Sequence, residues 1–311
     1  MINGELLLDT NNNPIHAHGG YLVEADGGFY WYGENRTADN YVSCYFSKDL
    51  KAWEFKNNIL TIKSKSVQTR VKADLSLVNV NGNKVNIERP KVFYNKKINR
   101  YVMWAHYENG IDYSMACVCI ASCERADGDF EFHGAFRPFG NMSRDCTVYE
   151  EAGQMYFASA SRDNADMNLY LIAEDGLNVE KQLGSYYSNE YREAPAFFRR
   201  RGFTYFFSSF CTGWAPNQCK YAMGKDILSC FNLLENIGDE TAYDSQVAFI
   251  YPLRLNGETF YLYVGDRWDA LDYHKSGYVI YPIEFDTEGR ARLIKCSSIA
   301  IDVENKKIIY N

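Results

Sequence analysis

Gly27-Gly28-Phe29-Tyr30-Trp31-Tyr32 runs a tight-turn signal straight into a dense aromatic strand, and the chain repeats that phrase four more times. The echoes are Asn99-Arg100-Tyr101-Val102-Met103-Trp104, Gly153-Gln154-Met155-Tyr156-Phe157, Gly202-Phe203-Thr204-Tyr205-Phe206-Phe207 and Gly257-Glu258-Thr259-Phe260-Tyr261-Leu262-Tyr263. Turn residues ahead of an aromatic or β-branched run are the grammar of strands and hairpins. With Tyr30, Tyr101, Tyr156, Tyr205 and Tyr261 as markers, the steps are 71, 55, 49 and 56 residues. The first step is the longest because residues 61–85 insert a Lys- and Asn-rich stretch that reads as an extra hairpin. Sustained apolar stripes with helical spacing are almost absent.

Each aromatic strand follows a strand that carries polar residues: IHAHGGYL (15–22), NIERPKVF (86–93), MSRDCTVY (142–149), YREAPAFF (191–198) and YDSQVAFI (243–250). A pair of β-sandwiches would share the aromatic strands but not this recurring phase. Units of four strands at such spacing are propeller blades. The expectation is an all-β, five-bladed β-propeller of four-stranded antiparallel blades around a central channel, forming one domain over residues 1–311. The first strand of each blade lines that channel, so polar groups far apart in sequence meet at one mouth.

Composition narrows the function. Of 311 residues, 46% are hydrophobic and 23% charged, a globular balance. The net charge of −7 lacks the cation excess that phosphate backbones require, so nucleic acid is not an expected partner. Aromatics reach 16%, a composition that suits stacking on a small ligand. The nine cysteines include no CxxC pair; Cys117-x-Cys119 reads as two small packing residues rather than a zinc site, and free thiols suit a reducing compartment. The start, MINGELLLDTNNN, has no basic leader region, and no apolar run approaches the roughly 20 residues of a membrane helix. A cytoplasmic protein with no membrane partner is expected, although a secreted chain trimmed of its leader would read the same way.

The first-strand polar residues are His16, His18, Glu88, Arg89, Arg144, Asp145, Arg192, Glu193, Asp244, Ser245 and Gln246. Glu88-Arg89-Pro90 and Glu193-Ala194-Pro195 each set a carboxylate before a proline, at a strand start where a missing N–H is tolerated. Two carboxylates held in different environments can serve as proton donor and electrostatic partner. His18 reads either as a core histidine or as a holder of water or an ion at the channel centre. Trp104, Trp214 and Trp268 fall near blade ends, where an indole is either core packing or a platform for the apolar face of a sugar.

These residues belong to motifs that resemble glycoside hydrolase family 43, and within it the exo-β-1,3-galactanase group, subfamily 24. The carriers run in order along nearly the whole chain: Ile15-His16-Ala17-His18-Gly19-Gly20, Gly33-Glu34-Asn35, Glu88-Arg89-Pro90-Lys91-Val92, Asp112-Tyr113-Ser114, Ser143-Arg144-Asp145, Arg192-Glu193-Ala194-Pro195, Cys211-Thr212-Gly213-Trp214, Ser245-Gln246 and Gly265-Asp266-Arg267-Trp268. The resemblance implies an inverting hydrolase that releases galactose from non-reducing ends of β-1,3-linked galactan or its oligosaccharides. Related members of the family suggest α-L-arabinofuranosidase or β-xylosidase as the alternative activity, and a non-catalytic sugar-binding propeller as the alternative class. Most of the family places a catalytic Asp on the first blade, where this chain has His18; the galactanase group shares that departure and uses a Gln of the last blade.

By resemblance, then, Glu193 is the general acid and Glu88 modulates it or orients the sugar. Gln246 positions the water and passes its proton through an imidic tautomer. Glu34, Tyr113, Asp145, Thr212, Trp214, Trp268 and His18 contact substrate. Room for the water implies catalytic groups roughly 6.5–9.5 Å apart. No cofactor is expected. A structural calcium beneath the site is compatible with the fold, although no oxygen-rich loop marks it.

Overall fold

The computed structural model describes residues 1–303 and 305–311. Five four-stranded antiparallel sheets follow one another in chain order, which makes the molecule a five-bladed β-propeller. Blade I holds β1 (His18–Ala25), β2 (Gly28–Glu34), β3 (Asn40–Ser47) and β4 (Glu54–Thr61). Blade II holds β5 (Asn86–Asn95), β6 (Arg100–Glu108), β7 (Cys117–Cys123) and β8 (Glu131–Phe136). Blade III holds β9 (Cys146–Glu151), β10 (Gln154–Ser161), β11 (Asp166–Ile172) and β12 (Val179–Tyr186). Blade IV holds β13 (Arg192–Arg200), β14 (Phe203–Phe210), β15 (Cys219–Gly224) and β16 (Glu235–Ile237). Blade V holds β17 (Gln246–Leu255), β18 (Glu258–Arg267), β19 (Gly277–Phe285) and β20 (Ala291–Leu293), and a hairpin of β21 (Ile299–Asp302) and β22 (Lys307–Tyr310) follows.

The repeated aromatic phrase is the second strand of every blade. Its turn has a physical reason in four of them. Asp26-Gly27, Ala152-Gly153, Arg201-Gly202 and Asn256-Gly257 each have positive φ at both residues, the backbone of a type I′ hairpin turn that matches strand twist. The first strands touch in a ring, β1 on β5 and β17, β5 on β9, β9 on β13, and β13 on β17. Aromatic and aliphatic side chains fill the wedges between blades. Trp104, Phe157 and Tyr170 pack between blades II and III, and Phe198, Tyr205 and Tyr261 between IV and V. The ring closes where Met1 N donates to Ile299 O and Asn3 N to Ser297 O, while Tyr278 Oη bridges Ala17 N and Ile15 O.

One expectation changes here and one open alternative is settled. Residues 62–85 form no regular hairpin. They make an irregular arm that bridges β8 at Ser66–Phe132 and Asp74–Ala135, with one tight turn closed by Val78–Lys84. The arm covers the outer edge of blade II, whose unpaired backbone would otherwise be an open template. Trp104 is not a platform but core: it is fully buried, and its Nε1 donates to Gly176 O at 2.8 Å. Cys117 and Cys119 pack in the wedge between blades I and II, as expected of small apolar residues. Among the described residues no helix is long and apolar enough to cross a membrane.

A finer regularity positions the site. The β1, β5, β13 and β17 ladders each carry one extra residue near their start, between His18 and Tyr21, Glu88 and Lys91, Glu193 and Ala196, and Val247 and Phe249. In the first three the residue after His18, Glu88 or Glu193 has positive φ: Gly19 at 56°, Arg89 at 54° and Ala194 at 49°. These are β-bulges, which re-aim a side chain where regular pairing would fix it. They also explain the two prolines, because Pro90 and Pro195 sit inside the bulge, where the ladder asks for no N–H.

Candidate active site

First strands start, and second strands end, on the same face of the ring. There a cavity of about 220 Å³ opens, lined by Glu34, Glu88, Tyr113, Asp145, Glu193, Trp214, Gln246 and Trp268 among others. Eight of the ten residues singled out from sequence therefore meet in one place, drawn from all five blades. Larger, apolar space lies between blades I and V, about 340 Å³ lined by Leu22, Trp31, Trp53 and Phe249, but it holds no group able to do chemistry on a sugar.

Two carboxyls are tuned in opposite directions. Glu193 Oε1 accepts from Asn164 Nδ2 at 2.8 Å. Burial, and the neighbouring charge of Asp145, push its pKa up to about 7. Asp145 in turn accepts from Ala194 N–H at 3.2 Å and lies 3.0 Å from Arg89 Nε. Glu88 Oε1 accepts from Arg36 Nη2 at 2.9 Å and Tyr113 Oη at 2.8 Å, and its Oε2 lies 3.3 Å from His106 Nδ1. Burial opposes its ionisation, yet His106, Arg36 and Tyr113 together hold it down to about 2. One group thus keeps a proton near neutrality and the other keeps its charge, the division of labour of a proton donor and an electrostatic stabiliser.

Glu34 supports this pair. Its Oε1 accepts the Arg89 N–H at 3.0 Å, and its Oε2 accepts from Arg36 Nη2 at 3.1 Å. Burial raises its pKa; Arg36 opposes the rise and Glu88 adds to it. Arg36 lies over the Tyr273 ring at 4.5 Å and over Trp214 at 5.4 Å, while Trp214 meets Trp268 edge-on at 5.2 Å. The wall facing the carboxylates is therefore aromatic.

Gln246 is held on three sides. Its Nε2 donates to Ser209 Oγ at 2.9 Å; its Oε1 accepts from Trp268 Nε1 at 2.8 Å and from Arg89 Nη2. Guanidinium and indole N–H groups only donate, so they fix which end of the amide is oxygen. The imidic tautomer expected from sequence would put a proton on that oxygen, against two N–H groups. The amide acts here as an oriented dipole.

Two expected contacts do not face the cavity. Thr212 Oγ1 donates to Ala215 O at 2.6 Å and accepts from Asn217 Nδ2 at 2.7 Å, folding the 211–217 loop; Gly213 and Trp214 reach the cavity instead. His18 is buried with Nδ1 2.9 Å from Asp266 Oδ1, stacked on Tyr278 at 4.5 Å beneath Trp268 and Tyr273. It props the aromatic wall and does not stand in for a base. Arg192 is likewise structural, donating to Ser208 Oγ and Ser208 O.

Sequence reasoning missed Arg36, His106 and Asn164. A signal for one of them existed. Counting back through the hairpin from Asn99 sets His106 opposite Arg89, and the extra residue between Glu88 and Lys91 moves that pairing by one, onto Glu88. Carbonyls around the channel have side-chain partners. Lys91 Nζ donates to Gly19 O at 2.5 Å and Gly20 O at 2.9 Å, and Arg89 Nη1 to Val247 O at 3.1 Å, so cationic side chains take these three carbonyls.

Residues 13–233 match the description of Glycosyl hydrolases family 43. An exo-β-1,3-galactanase structure from Clostridium thermocellum is 38% identical with a TM-score of 0.90, covering 99% of this chain and 68% of that one. A Phanerochaete chrysosporium exo-β-1,3-galactanase bound to galactose is 26% identical with a TM-score of 0.87, covering 100% of this chain and 70% of that one. A putative exo-β-1,3-galactanase from Bifidobacterium bifidum is 27% identical with a TM-score of 0.82, covering 96% and 97%. Among curated proteins none matches the chain.

Proposed function

The chain belongs to glycosyl hydrolase family 43, and from that premise we propose that it releases galactose from the non-reducing ends of β-1,3-linked galactan or galacto-oligosaccharides. The observation that carries this reading is the pairing in one small cavity of a carboxyl that stays protonated near neutrality, Glu193, with a carboxylate held ionised, Glu88. At about 220 Å³ the cavity is smaller than drug-sized pockets of ~300–1,000 Å³, a size for one terminal sugar ring and thus for exo attack.

The geometry supports the following chemistry. Glu193 gives its proton to the glycosidic oxygen as the C–O bond breaks, and the bonding pair stays on that oxygen. Positive charge builds at the anomeric carbon, where the ionised Glu88 stabilises it. A water on the opposite face, placed by Gln246 from the last blade, adds to that carbon and gives up its spare proton to solvent, Glu193 takes a proton back from solvent before the next turnover, and the product galactose has inverted configuration. Trp268 and Trp214 offer the apolar face of the ring an aromatic wall.

Product analysis on β-1,3-galactobiose and galactotriose tests the reading, with the anomer followed by NMR. Free galactose, first seen as the α anomer, is expected. Cleavage of arabinosides or xylosides alone would discard the galactoside assignment, and saturable binding of galactobiose without product would make the protein a sugar-binding propeller.

The tuned acid sets a pH dependence. Glu193 works only while protonated and its pKa is raised to about 7, so kcat/KM is expected to fall as pH rises through about 7. Glu88, lowered to about 2, stays ionised well below neutrality and adds no loss on the mildly acidic side. A kcat/KM profile that stays level from pH ~6 to ~9 would remove Glu193 as the acid.

A further inference from the structure

We propose that His106 is a positioning residue for the hydrolysis: a buried imidazolium, clasped by Glu108 on one side and by Glu88 and Asp145 on the other, whose positive charge holds those two pocket carboxylates in place. The kinetic part of this proposal rests on the reading above; the charge state of the ring does not.

His106 sits near the end of β6 as the ladder partner of Glu88, and only 2% of it is exposed. Its Nε2 lies 2.8 Å from Glu108 Oε1. Glu108 is wholly buried and its other oxygen accepts from Ala116 N–H at 2.9 Å, so Nε2 is the donor in that contact. Nδ1 then looks toward Glu88 Oε2 at 3.3 Å and Asp145 Oδ1 at 4.0 Å, without a well-formed hydrogen bond to either. A neutral ring would turn a lone pair toward two carboxylates. Positive charge at that point removes the conflict.

The surroundings give the same answer by charge balance. With Glu193 protonated, the pocket floor holds the carboxylates Glu34, Glu88, Glu108, Asp145 and Asp266 against the cations Arg36, Arg89, Lys91 and Arg144. Arg144 is also paired with Asp163 at 2.8 Å, so the carboxylates outnumber the cations, and His106 stands among three of them. Facing the ring are Glu88 from β5, Glu108 from its own strand, Asp145 and Arg144 ahead of β9, Glu193 from β13, and the Tyr113 ring at 5.9 Å. Burial works against a charged imidazole, but the bond to Glu108 and the nearby negative charges of Glu88 and Glu108 prevail and raise its pKa to about 9.

Glu88, His106 and Asp145 offer ligand atoms within 4.8 Å of one another, a spacing that a metal ion could also use. Their other contacts favour the proton. Glu88 already accepts from Arg36 and Tyr113, and Asp145 is paired with Arg89, so a divalent ion would have to sit against two guanidinium groups.

The test joins a direct reading of charge with kinetics. In protein carrying ¹⁵N-histidine, only five imidazoles contribute, and the His106→Gln variant identifies the one in question. At about pH 8, where an ordinary histidine of pKa ~6.5 is neutral, both His106 nitrogens are expected to carry protons. Kinetically, His106→Gln should cost about 10²-fold in kcat/KM on β-1,3-galactobiose. It should also move the alkaline limb upward by about one pH unit, because a cation that favours ionised Glu193 is gone. Glu108→Gln, a change remote from the sugar, should give the same shift in smaller measure, with melting curves confirming that both variants fold. A neutral His106 at about pH 8 overturns the proposal. So does a loss of rate with the pH limbs unmoved, or activity lost on chelation and restored by a divalent metal. If His106→Gln does not fold, the nitrogen spectrum and Glu108→Gln decide.

Discussion

Glu193→Gln is expected to lower kcat on β-1,3-galactobiose by about 10²–10⁴-fold while leaving the melting temperature close to that of the parent. The amide keeps the shape of the carboxyl and can still bond Asn164, which holds Oε1 at 2.8 Å, so the fold has little to lose. What disappears is the proton that burial and Asp145 keep on the group up to about pH 7. A sugar alkoxide leaves badly without that proton, whereas a dinitrophenolate needs none. The same variant should therefore retain much more of its rate on dinitrophenyl β-galactoside. Equal losses on both substrates would show that Glu193 binds the sugar rather than protonating the leaving group. Undiminished turnover of galactobiose would remove it from the chemistry.

Gln246→Ala is the second large effect, a loss of about 10²–10³-fold in kcat, the range seen when one oriented polar group is deleted from an active site. The amide is positioned by Arg89, Trp268 and Ser209, three partners from three strand ends, and none of them can take its place beside the water. The truncation also strips an acceptor from a buried guanidinium, which costs about 1–3 kcal/mol and should appear as a lower melting temperature. The two effects separate in Ser209→Ala, which frees Nε2 without removing the amide. That variant should lose far less rate than Gln246→Ala. If Gln246→Ala turns over at the parental rate, the water is placed by another group.

Much of this was legible before any coordinates. The five aromatic phrases are the five second strands, and the polar strand ahead of each is the one that lines the channel. That phase brings Glu34, Glu88, Tyr113, Asp145, Glu193, Trp214, Gln246 and Trp268 to one cavity. The failures have particular physical causes. His18 and Thr212 lie beside a bulge and in an irregular loop, where simple alternation no longer says which way a side chain points. Residues 61–85 alternate like a hairpin, but their partner is the edge of β8 and not themselves. Asn164, on a left-handed backbone past the end of β10, and Arg36, past the end of β2, reach the site from turns with no repeating pattern to flag them. His106 lies on the same strand two residues past the aromatic phrase, which ends at Trp104. In that strand the residue that looks like a ligand platform is core, and the one that looks like core serves the pocket.

The single spare residue that follows His18, Glu88 and Glu193 has an evolutionary and practical meaning. It separates the stretch that holds the blade together from the strand end that faces the substrate, because one residue in the bulge has no counterpart on the partner strand and the pairs on either side of it can turn independently. The strand ends that carry residues 18, 88 and 193 can accordingly be re-aimed while the ladders below them stay as they are, which leaves room for a lineage, or an engineer, to reshape the mouth of the pocket without redesigning the body that carries it.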